Sequence, residues 1–333
     1  MNTPALPIRA AITGTGSYLP EHVLTNDDIS KLVDTSDEWI FPRTGIHQRH
    51  IAAPGENTSD MAAAAGRKAL ENAGVKPEDI DLLIVATITP DHLLPSTACY
   101  VQTKLGLTNA TAFDLVAACS GFIYTIDVGR QYILSGSAKK VLVIGAEKMS
   151  ALTDWQDRGT CILFGDGAGA VVLEPAKDAD TGILASATGT DGSLSKLLYI
   201  EAGGSAVPTT ERTLRERRGF IQMDGHTIFK FAVRNMVQIA EQAIEKAGLT
   251  TADIDWIVPH QANMRIIQTA AKNLGIPPEK TVNTIEDTGN TTAGSIPIAL
   301  HQGVSDGRIK KGDIVLFAAF GAGLTWGATV VRM

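Results

Sequence analysis

The sequence predicts an α/β protein in which one α/β unit is used twice, layered α, β, α, β, α. Three observations carry this. Residues 69–81 read ALENAGVKPEDID and residues 243–255 read AIEKAGLTTADID, with seven of thirteen positions identical at a constant offset of 174. Each copy follows a helix-like run and leads into an apolar strand, Leu82-Leu83-Ile84-Val85 in the first and Trp256-Ile257-Val258 in the second. The run Val141-Leu142-Val143-Ile144 falls opposite Val315-Leu316-Phe317-Ala318 at the same offset. Continuous apolar runs of this length suit strands buried on both faces. Two such sheets pack around shared helices and need helices on their outer faces as well. The halves divide as 1–174 and 175–333, and a site is expected where they meet.

Composition agrees. The 333 residues are 44% hydrophobic and 20% charged, enough for a large core in about two domains or one duplicated unit. Thirty-two glycines and few aromatics suit a tightly packed α/β chain with many turns. A net charge of −7 argues against nucleic acid as the main partner. The three cysteines, 99, 119 and 161, show no metal-ligand spacing and no even framework, so a reduced, cytoplasmic setting is expected. The N-terminus shows no basic stretch followed by a long apolar core, and no run of 18 apolar residues occurs. Neither a signal peptide nor a membrane span is expected.

In chain order, Ile8 to Thr13 reads as a strand ending in Gly14-Thr15-Gly16. Because Ser17-Tyr18-Leu19-Pro20 follows rather than a helix start, a dinucleotide loop is rejected. Thr25-Asn26-Asp27-Asp28 is a helix cap. The stretch Asp37 to Ile46 sets Trp39 and Arg43 four residues apart near a turn, either surface packing or a platform for a base and phosphates. Ser59 to Ala73 is an alanine-rich helix closed by Gly74. Ile80 to Thr87 is a strand, Pro90 to Pro95 a loop carrying Leu94, Thr97 to Leu105 a helix, and Ala112 to Ala118 a strand. Phe122 to Leu134 is a helix. Cys161 to Phe164 and Ala170 to Leu173 read as two strands about Gly165-Asp166-Gly167-Ala168-Gly169, a hairpin rather than a phosphate loop. Residues 189–225 are the least regular, with Arg212, Arg215, Arg217 and Arg218 in a solvated basic loop or a cover over an entrance. Thr227 to Ala247 is a long amphipathic helix with Ile228, Ala232, Met236, Ala240 and Ala243 on one stripe.

Chemistry concentrates at element ends. Cys119, in Ala117-Ala118-Cys119-Ser120-Gly121, stands between a strand and a helix. A lone cysteine in apolar company is ordinarily a buried small hydrophobe. At a helix start, however, the positive end of the dipole favours its thiolate. The second half offers His260 just past a buried strand in Pro259-His260-Gln261-Ala262-Asn263. It also offers Asn290 in the glycine-punctuated run Asp287 to Ser295, and a tight turn in Phe320 to Gly327. Singly these read as a capping histidine, an Asx-turn and a hairpin. Jointly, Cys, His and Asn at element ends across a duplicated fold suit thiolate catalysis.

AACSGF, HQANMR, GNTTAGSIP and FGAGLTWG, with TSDEWIFPRTGI and ILFGDGAGA, resemble the signatures of the β-ketoacyl-acyl-carrier-protein synthase III family. The resemblance spans essentially the whole chain and implies a duplicated thiolase-like fold. It also implies a homodimer with Cys119, His260 and Asn290 catalytic. Relatives that pair the cysteine with two histidines, with a second cysteine, or with glutamate and histidine do not match Asn290 in GNTTAGS. One departure is Gly321-Ala322-Gly323 where the family commonly has three glycines; an alanine donates its N–H less freely if its φ is positive.

The implied reaction is decarboxylative condensation of an acyl-CoA primer, acetyl-CoA the expected one, with malonyl-acyl-carrier protein. Cys119 takes the acyl group, and the N–H groups of Cys119 and Ala322 serve the oxyanion. His260 and Asn290 hold the enolate oxygen, and loss of CO2 removes the need for a metal or organic cofactor. The resemblance further implies that Trp39 and Arg158 flank the CoA adenine with Arg43 nearby. Asn263 would line the pantetheine channel, Phe320 would lie near the acyl group, and the Leu94 loop would reach the partner's acyl pocket. A basic carrier-docking face is expected from Arg265, about 140° round the helix from His260, with Lys272 and, on the preceding helix, Lys230 and Arg234. A solvated surface is the plain alternative. Rival readings are a same-fold enzyme making quinolone, polyketide or long-chain ketone products, an acyltransferase that never condenses, and a non-enzymatic binding module.

Overall fold

A computed structural model describes residues 9–333. The strand expected from Ile8 starts outside those residues and runs over Ala10–Tyr18 within them. The first sheet holds β1 (Ala10–Tyr18), β2 (Leu82–Ala86), β3 (Thr111–Leu115), β4 (Val141–Glu147) and β5 (Gly167–Pro175), in the order β1-β5-β4-β2-β3. The second holds β6 (Gly182–Thr190), β7 (Trp256–Pro259), β8 (Ile314–Gly321) and β9 (Thr325–Arg332), in the order β7-β8-β9-β6. The duplication extends to register: Leu82 pairs with Val141 in one sheet and Trp256 with Val315 in the other, both parallel. The counterpart of β3 shrinks to a single bridge between Ile257 and Thr281.

The main helices are α1 (Asp37–Thr44), α2 (Thr58–Ala73), α3 (Thr97–Leu105), α4 (Gly121–Leu134), α5 (Gly225–Lys246), α6 (Met264–Asn273) and α7 (Ser295–Ser305). α4 and α7 form the middle layer. Phe122, Ile123 and Ile126 from one, and Ile296, Ala299 and Leu300 from the other, share a core with Ile84 and Val143 of the first sheet and Val315 and Phe317 of the second. α2 and α3 cover the first sheet's outer face through Met61, Ala65 and Val101. α5 and α6 cover the second through Met236, Ala240 and Ile266. These are the five layers expected. The alanines of α2 let β1 lie directly on it: a Cβ at Gly16 would fall 2.3 Å from the Ala65 carbonyl oxygen. Gly14-Thr15-Gly16 is therefore a packing device. Gly74 closes α2 at φ 64, and Thr25 with Asp28 forms the expected reciprocal cap.

Four expectations are corrected. Cys161 to Phe164 is not a strand. Asp157 caps a helical turn over Arg158–Cys161, and Asp166 turns inward to accept from the N–H groups of Ala52 and Ser150 and the Ser150 hydroxyl, so no hairpin forms. The strand before Cys119 stops at Leu115, short of Ala118. Residues 189–225 are more regular than expected, with a hairpin of Leu198–Ile200 against Ile221–Met223 and a short helix at Glu211–Arg215. Their arginines are paired: Arg212 with Glu216, Arg215 with Glu211, Arg217 with Asp154 and Arg218 with Glu201. Finally, His260 is not on the helix that carries Arg265, because α6 begins only at Met264. Among the described residues, no helix is long and apolar enough to cross a membrane.

Candidate active site

The chain leaves β3 and turns through Ala118–Ser120 into α4. Ala118 has φ 47, a left-handed conformation that costs a non-glycine residue about 1–2 kcal/mol. At the offset of 174 stands Thr292, with φ 45, in the turn that follows Asn290 and starts α7. The fold has therefore duplicated a strained turn along with its strands, and the two copies touch. Gly121 packs so close to Ala293 that an added Cβ would lie 3.3 Å from the alanine's β-carbon. This contact places the nucleophile of one half beside the asparagine of the other.

Cys119, His260 and Asn290 line one cavity of about 550 Å³, with Phe320, Trp39, Arg43 and Asn263 also on its wall. Gln261 holds the loop that carries His260. Its amide donates to the Pro259 and Val282 carbonyls, and its oxygen accepts from the N–H groups of Thr284 and Ile285. His260 Nδ1 is 2.7 Å from the Ser295 hydroxyl, while Nε2 is buried with no protein partner. A hydroxyl can donate or accept, so Ser295 supports either ring tautomer. Asn290 Oδ1 accepts the Thr292 N–H at 2.8 Å, which fixes the amide plane and leaves its NH2 group for another acceptor.

The turn between β8 and β9 is laced to Cys119. Thr325 Oγ1 lies 3.1 Å from both the Ala117 and the Ala322 carbonyl oxygen and shares its one proton between them, and the Ser120 hydroxyl donates to the Thr325 carbonyl. A Cβ at Gly321 would sit 2.8 Å from the Cys119 nitrogen, so only glycine allows this approach. Among the described residues, no backbone acceptor takes the N–H of Cys119 or of Ala322. The concern over Ala322 does not arise, because the positive φ of this turn falls on Gly323, at 135°.

Electrostatics correct one expectation. Burial pushes the Cys119 thiol up to about 12, with the Glu147 charge adding to it, so desolvation outweighs the helix start and the resting group is a thiol. Burial also lowers His260 to about 3, which leaves a neutral imidazole at any ordinary pH.

Trp39, on the cavity wall, has two guanidinium groups over its ring, Arg43 at 4.4 Å and Arg158 at 4.6 Å from the ring centre. Arg158 also donates to the Asp34 carbonyl. Asn263 caps α6 and donates to the Arg43 carbonyl. Arg265 lies on the cavity wall and spends two N–H donors on the Pro42 carbonyl. Lys230, Arg234 and Lys272 are exposed on α5 and α6. Leu94 stands apart from the cavity, 86% exposed in its loop beside the 90% exposed Leu93.

Family models for 3-oxoacyl-[acyl-carrier-protein] synthase III match residues 113–192 and, for its C-terminal part, residues 244–333. The chain is 51% identical over 330 residues to the β-ketoacyl-[acyl-carrier-protein] synthase III of Rhodospirillum centenum, covering 98% of this chain and 100% of that one. It belongs to the β-ketoacyl-[acyl-carrier-protein] synthase III family. The Thiobacillus denitrificans member is 52% identical over 322 residues, covering 96% of this chain and 98% of its own. The crystal structure of the Aquifex aeolicus member superposes with a TM-score of 0.91 at 48% identity, covering 97% of this chain and 100% of that one.

For a synthase III chain, two supporting residues escape a reading of the sequence. Ser295 lies inside GNTTAGS, but nothing in its spacing announces contact with a histidine 35 positions earlier. Glu147 ends an apolar strand, where a charge ordinarily marks the surface, yet it is fully buried.

Proposed function

We propose that Cys119, His260 and Asn290 carry the synthase III reaction, the condensation of an acyl-CoA primer with malonyl-acyl-carrier protein that starts a fatty-acid chain. The observation that carries this is their meeting in one cavity, with His260 Nε2 unpartnered and the Asn290 NH2 group left over once its oxygen has accepted the Thr292 N–H. The chain is an acyltransferase of the condensing class. Relatives identical at half their positions over its whole length share the synthase III name, which weighs against a quinolone, polyketide or long-chain ketone product.

Acyl-CoA enters past Trp39, and its carbonyl settles by Cys119. Because burial keeps Cys119 a thiol, its proton has to leave as sulfur attacks, and His260 Nε2 is the acceptor the cavity offers. The N–H groups of Cys119 and Ala322 receive the oxyanion. CoA departs with the proton, leaving acyl-Cys119. Malonyl carrier follows. As CO2 leaves, charge moves onto the thioester oxygen, where His260 Nε2–H and the Asn290 amide donate to it. Since CoA takes its proton back from Nε2, the ring first has to exchange its Nδ1 proton for one on Nε2 through water admitted as CoA leaves, after which the Ser295 hydroxyl turns to donate to Nδ1. Two neutral donors suit an enolate, whereas a carboxylate in their place would repel it. The enolate carbon attacks the acyl carbonyl, the C–S bond to Cys119 breaks as the C–C bond forms, and the released sulfur takes a proton from solvent to restore the thiol and free 3-oxoacyl carrier. The scheme calls on no metal or organic cofactor, because decarboxylation drives it. The deciding experiment is a panel of acyl-CoAs incubated with malonyl carrier, with 3-oxoacyl carrier read by mass spectrometry. Acylation of the enzyme without such a product would favour the plain acyltransferase.

A homodimer in the cytoplasm is part of the proposal. Leu93, Leu94 and Val116, at 90%, 86% and 75% exposure, are apolar side chains that a second copy would cover. If Leu94 meets the partner's acyl pocket, Leu94→Phe narrows acceptance of branched or longer primers relative to acetyl-CoA. An unchanged primer profile would count against that contact. Carrier docking is proposed for the exposed face of α5 and α6. Arg265 is a poor probe of it, since it also braces Pro42 beside the CoA entrance. A Lys230→Glu, Lys272→Glu pair should raise the KM for malonyl carrier severalfold and leave acylation by acetyl-CoA unchanged. An unaffected carrier KM would mark these lysines as ordinary solvated surface.

A further inference from the structure

Arg49 is a fully buried guanidinium that the mechanism above leaves unused. It stands on the short strand Gln48–Ile51, which pairs with His22–Thr25. Its three hydrogen bonds all end on neutral oxygens. Nη1 donates to the Leu24 carbonyl at 3.1 Å and to Asn26 Oδ1 at 2.9 Å, and Nη2 donates to the Ile162 carbonyl at 2.8 Å. Nε is buried with no partner among the described residues. Burial lowers the group to about 10, so it is still a cation near neutrality. A buried cation held only by neutral oxygens destabilises a fold relative to an apolar side chain of its size, so packing does not account for it.

The oxygens it holds belong to two separate parts of the CoA entrance. Asn26, itself buried, accepts from the guanidinium, and its NH2 group donates to Asp37 Oδ1 at 2.8 Å and to the Ile46 carbonyl at 2.6 Å. Asp37 opens α1 and Ile46 follows its end, and α1 is the helix that carries Trp39 and Arg43. Ile162 closes the helical turn Arg158–Cys161. Between the two parts lies a small apolar core of Ile29, Ile40, Cys161 and Ile162, with Trp39 packed against it. Apolar contacts are non-directional and set no angle between the parts. A planar fork of donors does, and a lysine's point charge cannot replace it.

We propose that Arg49 is a positioning residue for CoA, whose fork fixes α1 against the Arg158 turn so that Trp39, Arg43 and Arg158 meet the nucleotide end of the thioester as one preformed surface. The inference rests on the reading above in which acyl-CoA enters past Trp39. Arg49 is not on the cavity wall and acts through Asn26, Asp37 and Ile162. Its stem has a different neighbour, the Asn290 loop. A Cβ at Gly165 or at Gly289 would fall 3.0 or 3.1 Å from the Arg49 Cβ. Gly165 donates its N–H to the Asn290 carbonyl. Lysine keeps that stem, so Arg49→Lys removes the fork and leaves the support of Asn290 in place.

The test follows condensation by the full-length enzyme at saturating malonyl carrier while the acetyl donor is varied. The donors are acetyl-CoA and S-acetylpantetheine, which has the same thioester and arm and lacks the nucleotide. Arg49→Lys should raise the KM for acetyl-CoA about tenfold with kcat within about twofold, the mark of binding lost equally from ground and transition state. Its kcat/KM for S-acetylpantetheine should stay within about twofold of the parent's. A loosened fold would instead lose both donors together. Asn26→Ala cuts the tie to α1 and leaves Arg49 on the Leu24 and Ile162 carbonyls. It should show the same split at about threefold, and it decides the matter if Arg49→Lys does not fold. An unchanged KM for acetyl-CoA, or an equal loss with both donors, overturns the proposal. Trp39→Ala, measured alongside, separates the two ideas. If it treats both donors alike, the placing of CoA at Trp39 fails. If it impairs acetyl-CoA alone while Arg49→Lys does not, only the role of Arg49 fails.

Discussion

Cys119→Ala is expected to take no acyl group from acetyl-CoA and to lose condensation by roughly 10⁴-fold or more, the scale of losing an attacking nucleophile. The other two thiols cannot substitute. Cys161 is fully buried among Ile29, Ile40 and Ile162, away from the cavity. Cys99 lies on α3 with its sulfur 3.2 Å from the Ser96 hydroxyl. In the parent enzyme, peptide mapping after acetyl-CoA treatment should place the acetyl group on Cys119. Decarboxylation of malonyl carrier draws on His260 and Asn290, which Cys119→Ala leaves in place, so slow release of CO2 should persist and report a folded site. An acetyl group on Cys99 or Cys161 would sink the mechanism.

What was legible in the sequence follows from how each feature is encoded. Strands buried on both faces leave continuous apolar runs, and duplication repeats them at a fixed offset, so both sheets and the middle layer could be read from Val141 to Ile144 and Val315 to Ala318. The α5 stripe was legible because each of its five positions faces the second sheet, and all five are buried. Cys161 to Phe164 misled because burial alone makes a short apolar run resemble a strand. Its helical turn is decided by the Asp157 cap, a polar signal outside the run. The charge state of Cys119 departs from the expected thiolate for a similar reason. A helix start is visible in sequence, whereas the desolvation that outweighs it depends on what packs around the sulfur in three dimensions. Ser295 and Glu147 escaped because their partners are distant in the chain. The strained turn at Ala118 and its copy at Thr292 show no residue signature, since alanine and threonine are not what a left-handed position favours.

Asn290→Ala is expected to separate the two half-reactions. Acylation uses the sulfur, His260 and the two backbone donors, none of which the substitution touches, so acyl-enzyme should form at close to the parent rate. Condensation has to place negative charge on the thioester oxygen, with two side-chain donors available for it. Asn290 is rigid in this task, because its Oδ1 is committed to the Thr292 N–H at 2.8 Å and its NH2 direction is therefore set before substrate arrives. Loss of one such preorganised donor costs about 10²-fold or more in kcat. Asn290→Asp should be at least as impaired, since it keeps the shape but brings a negative charge to the developing enolate. The measurement is burst acylation by acetyl-CoA followed, in the same sample, by single-turnover condensation with malonyl carrier. Equal loss of both steps in a folded Asn290→Ala enzyme would show that the asparagine had been given the wrong role, and that His260 alone meets the enolate.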